Sequence, residues 1–259
     1  MNREFKMPSR WAERPVQVLL IGAGGTGSDL LVRLAKLHRQ LIALGSPGLH
    51  VVVHDPDYVS ETNVGRQHFS PSSIGLNKAI ALVHSINLAY AVSWKAVPRA
   101  FDVIENVDAV RGTDLVITAV DKAAFRTSLA RAYRNWGSGT LWLDTGNGSD
   151  SGNVVLGHLG YRDKSEPRLP NVFDLWPELE AMEAKDDEAP SCSAEESIQR
   201  QSWPVNQTAA LLAAEILWTL IRTGKLEYHG YTFSLRPMTT TPMAIDPAAW
   251  AFFGYDEAA

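Results

Sequence analysis

VQVLLIGAGGTGSDLLVRLAK, residues 16–36, begins with a β-type apolar run (Val16–Ile21) and enters a glycine turn made by Gly22, Gly24, Gly25 and Gly27. A helical pattern follows, with Leu30, Leu31, Leu34 and Leu37 on one side, and a second apolar run, Val51–Val53, ends in Asp55. This is the strand–turn–helix–strand grammar of a nucleotide site. The glycines let backbone N–H groups and a helix N-terminus approach phosphate oxygens, and the acid after the next strand accepts from ribose hydroxyls. Taken alone, the glycines suit a dinucleotide-dependent oxidoreductase equally well, or serve only close helix–strand packing.

Outward from that stretch, Asp55–Gln67 (DPDYVSETNVGRQ) has no sustained period and reads as an ordered loop. A helix is expected over about 75–90, a strand over 92–97, a short helix over 101–110, and a strand over 114–120 carrying Asp121 at its carboxyl end. A helix over about 123–136, a strand over 141–144 and a returning strand over 153–159 complete an alternating series. The alternation predicts an α/β, Rossmann-like doubly wound sheet, mainly parallel, with late antiparallel strands and a long crossover loop. Residues 1–15 read as an extended arm. Residues 162–191 are charged, broken by four prolines, and read as a crossover with a helical turn or two. Pro204–Thr223 reads as an amphipathic helix stopped by Gly224, and Tyr228–Leu235 as a late strand. Nothing in the pattern places the tail from Arg236. One domain over 1–259 is expected, with a nucleotide-binding core at 16–160, the crossover at 161–203 and a C-terminal part at 204–259.

Bulk composition excludes several classes. A net charge of −5 argues against general nucleic-acid or anionic-membrane binding. The first residues carry no secretory apolar core, and the most apolar helical stretch is shorter than a membrane span. With the single cysteine, Cys192, internal disulfides and a four-cysteine zinc site are excluded. The cytoplasm is the expected compartment. Seven histidines show no metal-ligand spacing. His54 reads as a satisfied core or sheet residue, and Trp176 and Trp250 as packing residues or marks of a partner groove.

In sheets of this kind ligands sit outside the carboxyl ends of the strands. The glycine turn, the 55–67 loop and Asp121 converge there, offering N–H groups, an acid for ribose, cations from Arg66 and Lys78, and a carboxylate suited to Mg²⁺. That equipment fits a triphosphate better than a hydride donor. Each residue also has a plainer reading. Asp55 and Asp121 suit caps, Asp121 for the helix after it, while Arg66 and Lys78 suit solvated surface charges.

The ordered set GAGGTGS, DPDYVSETNVGRQ, GLNKA and DLVITAVDKAAFR resembles the ThiF/MoeB-type adenylating enzymes, relatives of the ubiquitin-activating enzymes. The resemblance covers residues 16–126, with an echo through 143–147, Pro190-Ser-Cys192 and the helix after Pro204. The proline-rich insertion, the missing zinc cysteines and PSCSAEES look most like the ThiF-family member of PRTRC systems. The resemblance implies that ATP and Mg²⁺ serve to adenylate the C-terminal carboxylate of a small β-grasp, ubiquitin-like or sulfur-carrier protein. It implies that Gly22, Gly24, Gly25 and Gly27 form the phosphate turn and Asp55 holds ribose. Asn63 and Arg66 would contact phosphates with Gln67 nearby, Lys78 would neutralise developing charge, and Asp121 would carry Mg²⁺. Cys192 stands where several members hold a nucleophilic cysteine, although a buried inert thiol is the plainer alternative. A homodimer is expected; of the family's partner-subunit arginine, only Arg10 and Arg14 remain as candidates and neither is assigned. The competing readings are an NAD(P)- or FAD-dependent oxidoreductase and a non-catalytic nucleotide-binding scaffold.

Overall fold

The computed structural model describes residues 3–137, 139–160, 168–186 and 203–255, with no side-chain description at 183–186. In chain order the strands are β1 (Phe5–Lys6), β2 (Val16–Ile21), β3 (Leu49–His54), β4 (Lys95–Val97), β5 (Leu115–Thr118), β6 (Leu141–Asn147), β7 (Ser151–His158), β8 (Lys225–Leu226), β9 (Tyr228–Leu235) and β10 (Met238–Ala244). The helices are α1 (Arg10–Glu13), α2 (Gly25–Ala43), α3 (Lys78–Tyr90), α4 (Val107–Arg111), α5 (Ala123–Tyr133), α6 (Val172–Leu175), α7 (Leu179–Asp186), α8 (Val205–Thr223) and α9 (Pro247–Ala251).

Eight strands form one sheet in the order β10-β9-β7-β6-β5-β2-β3-β4. The segment from β4 to β6 is parallel, and β7, β9 and β10 join antiparallel. The expected α/β class with late antiparallel strands is therefore present. Alternation sorts the continuous apolar runs into two cores, because successive strand side chains point to opposite faces. Val18, Leu20, Val51, Val53, Leu115 and Ile117 pack with α2, α3 and α8. Leu19, Ile21, Val116 and Trp142 pack on the other face with Val110, Leu129 and Tyr133.

β2 lies between β3 and β5, so the chain leaves it in one direction and later returns on its other side. The carboxyl ends of β2 and β5 thus flank the point where strand order reverses, the place where open α/β sheets bind ligands.

Several boundaries differ from the sequence expectation for local reasons. The helix expected from 75 begins at Lys78, because the Asn77 side chain accepts from Ile80 N and caps it. The strand expected from 92 begins at Lys95, since the Asn87 amide takes both the N–H and the carbonyl of Trp94. Over 101–110 only Val107–Arg111 is helical; Asp102 instead accepts from Ile104 N and Glu105 N in a turn. The arm at 1–15 is not simply extended. It pairs Phe5 with Leu226 and then turns through α1, burying Trp11. The unplaced tail supplies edge strand β10, where Pro242 is tolerated, and α9, in which Trp250 is buried rather than facing a partner. Trp176 packs at its edge on Phe253, 5.1 Å between rings.

Candidate functional site

The glycine turn is shaped by what stands beside it. Gly22 has φ +98°, and a Cβ there would lie 2.5 Å from the carbonyl oxygen of Ala119, at the end of β5. A Cβ on Gly27 would lie 2.0 Å from the Gly22 oxygen, and one on Gly25 would lie 2.5 Å from Asn206 Nδ2. Gly22 and Gly27 thus face backbone that cannot give way, whereas Gly25 is covered by the end of a side chain. Gly24 differs: nothing among the described residues lies within 4 Å of its Cβ position. It is also the N-cap of α2, supplies no side-chain acceptor, and is followed by a first turn without acids. A helix N-terminus of this kind favours anions.

Asp55 follows β3 and is buried, with Oδ2 accepting from Ala23 N at 2.6 Å and Oδ1 from Asp57 N at 2.8 Å. Burial pushes its carboxyl above the ordinary aspartate value; the two amides and the Lys78 charge offset only part of this. A carboxylate has about four acceptor positions, so two remain for ligand hydroxyls. Asp55 does not cap a helix.

The 55–67 loop is held from several sides. Asn77 Nδ2 donates to the carbonyls of Asp55 and Asp57 at 2.9 and 3.0 Å. Asn63 is buried, and its Oδ1 accepts from Ser60 N at 3.0 Å, so its oxygen serves the loop's own turn. The Gln67 N–H bonds to the Asn63 carbonyl, and His68 N donates to Ser28 Oγ of α2 at 3.1 Å. A cavity of about 120 Å³ results, walled by Gly25, Asp29, Arg66, Gln67, His68 and Gln207 of α8. Gln67 Oε1 is buried and has no hydrogen-bond partner among the described residues. A larger hollow of about 390 Å³, near His38, His50 and Trp94, lies at the amino end of β3, away from the glycine turn.

Lys78 is not a solvated surface charge. Its side chain is 10% exposed and its Nζ lies 2.9 Å from Asp57 Oδ2, itself largely solvated. Asp121 is exposed beyond β5, and its carboxylate makes no hydrogen bond or ion pair among the described residues. The N-cap of α5 is Lys122, with no side-chain cap bond, so Asp121 does not serve as the cap. A solvent-facing carboxylate with its oxygens uncommitted fits a hard divalent cation that also takes phosphate oxygens.

The structure thus gathers Gly25, Arg66 and Gln67 around one cavity. Asp55, Asn63, Lys78 and Asp121 are not part of its wall; Asp55 lies against Ala23 of the glycine turn, and the Asp121 segment reaches that turn through Ala119. Cys192 lies outside the described residues. Arg10 and Arg14 both bind Asp114, which precedes β5 at the amino end of the sheet and also accepts from Gln17 N. Within the chain they are committed away from the carboxyl-end site. His54 is buried as expected of a core residue, with its ring edge-on to Phe101, but its Nδ1 has no hydrogen-bond partner among the described residues.

Some contributors were not assigned from sequence. Asn206, at the start of α8, accepts on Oδ1 from Thr26 Oγ1 (2.9 Å) and Asn147 Nδ2 (2.7 Å), tying α8 and the end of β6 to the glycine turn. Arg126 and Asp144 form a buried ion pair at 2.7 Å. A polar residue opening an apolar helix and an aspartate ending an apolar strand were the available signals.

A ThiF family model matches residues 6–249 of the chain. The chain belongs to the ThiF family. No curated protein matches it significantly. Among solved structures, the E. coli protein MccB with succinimide matches this ThiF-family chain with TM-score 0.62 at 17% identity. MccB with ATP gives TM-score 0.59 at 17% identity, and selenomethionine PaaA 0.61 at 14%. Each match covers 89% of this chain and 64% of the other, so the ThiF-family chain spans less than two thirds of those relatives' length. At such identities the likeness shows a shared fold. Among the described residues, no helix is long and apolar enough to cross a membrane.

Proposed function

We propose that this ThiF-family protein uses ATP to adenylate the C-terminal carboxylate of a polypeptide, a ubiquitin-like or sulfur-carrier protein being the preferred substrate. The observation that carries the reading is the contrast at the reversal point of the sheet. Gly22 and Gly27 are packed against backbone while Gly24, at a helix N-terminus, has open space around its Cβ position among the described residues, and an uncommitted carboxylate follows β5. A hydride-transfer enzyme needs no such carboxylate.

In this reading the α2 N-terminus and Arg66 hold phosphate oxygens, with Asn63 and Gln67 beside them, and Asp55 accepts from ribose. Asp121 holds Mg²⁺, which when bound would offset phosphate charge. A substrate carboxylate oxygen attacks the α-phosphorus as the bond to the pyrophosphate oxygen breaks, giving acyl-adenylate and pyrophosphate. The nucleophile is ionised at neutral pH, so no general base is required. Lys78 faces the charge that grows on the α-phosphate, and catalysis is mostly positioning and cationic stabilisation. Transfer would follow when the Cys192 thiolate attacks the acyl carbonyl and AMP departs. We further propose one functional domain over 1–259, a homodimer, and kinship with the PRTRC-system members, the last resting on the proline-rich insertion and PSCSAEES.

The MccB structures include complexes with MccA and with N-formylated MccA. They support a second reading, in which the adenylated tail belongs to a short peptide. Exchange of labelled pyrophosphate into ATP, assayed separately with a β-grasp carrier and with short peptides, tests both. Exchange with neither, together with oxidation of a reduced nicotinamide, would overturn the adenylation reading.

A further inference from the structure

We propose that Arg126 is a positioning residue that aims the Asp121 carboxylate, acting through the peptide groups on either side of it. The inference rests on the adenylation reading only for what Asp121 does. The geometry of the brace stands by itself.

Asp121 sits in a segment between the end of β5 and the start of α5, and among the described residues no hydrogen bond or ion pair holds its side chain. The segment is fixed through its backbone. Arg126 Nη2 donates to the Val120 carbonyl at 2.7 Å and to the Thr145 carbonyl at 3.3 Å, and Nη1 reaches the Lys122 carbonyl at 3.5 Å. One guanidinium therefore holds the carbonyls before and after Asp121 and joins them to β6.

The guanidinium is fixed in turn. Its Nε donates to Asp144 Oδ1 at 2.7 Å, and the two side chains are 7% and 1% exposed. Asp144 Oδ1 also accepts from Thr118 Oγ1 at 2.5 Å, and that hydroxyl accepts from Trp142 Nε1 at 2.8 Å. The chain of bonds runs from two core strands through Arg126 to the peptide units flanking an exposed carboxylate. Such a planar, multiply donating cation is specific to arginine; a lysine ammonium keeps the charge but not the fork. A buried pair of this sort is weak evidence for net stability and better explained by the geometry it imposes.

The test compares Arg126→Lys with Asp121→Asn by Mn²⁺ binding to the protein–ATP complex, followed by electron paramagnetic resonance, and by ATP binding in the presence of a chelator. Arg126→Lys is expected to weaken Mn²⁺ binding at least tenfold with metal-free ATP affinity within twofold of the parent. In exchange assays the Mg²⁺ concentration for half-activation rises while the rate at saturating Mg²⁺ approaches the parent's. Should Asp121→Asn lose Mn²⁺ and Arg126→Lys keep it, the brace falls and the adenylation reading stands. If both keep it, the role of Asp121 falls as well. A parallel fall in metal-free ATP affinity would show a merely structural role and overturn the proposal. If Arg126→Lys does not fold, Arg126→Gln with Asp144→Asn removes both buried charges together and is read the same way.

Discussion

Arg14 grips both carboxylate oxygens of Asp114, at 2.6 and 3.0 Å, across 100 residues of sequence. Arg10 adds a third bond at 2.6 Å, and the N-terminal arm is thereby fastened beneath the sheet, at the end remote from the glycine turn. Burial acts to raise the Asp114 carboxyl, but Arg14, the Gln17 amide and Arg10 more than offset it and hold it below the ordinary value. A carboxylate with a depressed folded-state pKa contributes stability above its unfolded value and loses it as pH falls through the folded one. Asp114→Asn should therefore cost about 2 kcal/mol at pH 7, and the difference from the parent should shrink below about pH 4. Urea midpoints at several pH values measure both. Arg10→Ala and Arg14→Ala should lower the midpoint yet leave pyrophosphate exchange per folded protein unchanged; a large loss of exchange would restore one of them as the family's arginine.

The glycines divide by mechanism. Gly27→Ala would push a methyl group into the Gly22 carbonyl at 2.0 Å and should give insoluble or unfolded protein. Gly24→Ala meets no atom of the described residues within 4 Å, so its melting temperature should stay within a few degrees of the parent. Its methyl group would stand where phosphate oxygens approach, and ATP affinity should fall tenfold or more. Calorimetric titration of the two variants separates packing from ligand approach.

Asp55 gives a pH signature with two opposed parts. Its folded pKa is raised, chiefly by burial, so its own contribution to stability is fully present below the unfolded value and is lost as pH rises through the folded one. Nucleotide affinity should move the other way, since the protonated carboxyl gives up acceptor capacity to ribose hydroxyls. The loss of ATP affinity on acidification should begin at higher pH than an ordinary aspartate would cause, and Asp55→Asn should abolish that component. Titrations from pH 7 to pH 5 decide the matter.

How much of this was legible in the residues depended on the reach of the signal. Val16–Ile21, the glycines and Val51–Asp55 are contiguous, and their order alone fixed a parallel βαβ unit with an acid at the right end. Asp55 and Asp121 could be picked out because each follows an apolar strand run, and Lys78 through the GLNKA motif of the family resemblance. What could not be read is what joins distant segments. Phe5 becomes a strand only by meeting Leu226, and Asn206 matters because it covers Gly25. The threonine-rich stretch Met238–Ala244 is weakly amphipathic and becomes a strand because β9 offers it an edge. Asn87 shortens β4 through a side-chain bond that no periodicity encodes.

Lys78 supplies a test of where catalysis resides. Its partner Asp57 is solvated, so the ion pair at 2.9 Å contributes little to stability, on the order of 1 kcal/mol or less. Lys78→Ala should leave the unfolding midpoint near the parent's while lowering the exchange rate about 100-fold or more, as removal of one preorganised charge-stabilising group does. Substrate KM should change far less than kcat if, as proposed, the ammonium meets charge that grows only as the α-phosphate is attacked. A variant that loses stability and activity together would make Lys78 structural, and one that binds ATP weakly yet turns over normally once saturated would place it in ground-state binding instead. Asp57→Asn serves as the companion: it frees the ammonium without removing it. It should retain most of the exchange rate if Lys78, and not the pair, is what acts.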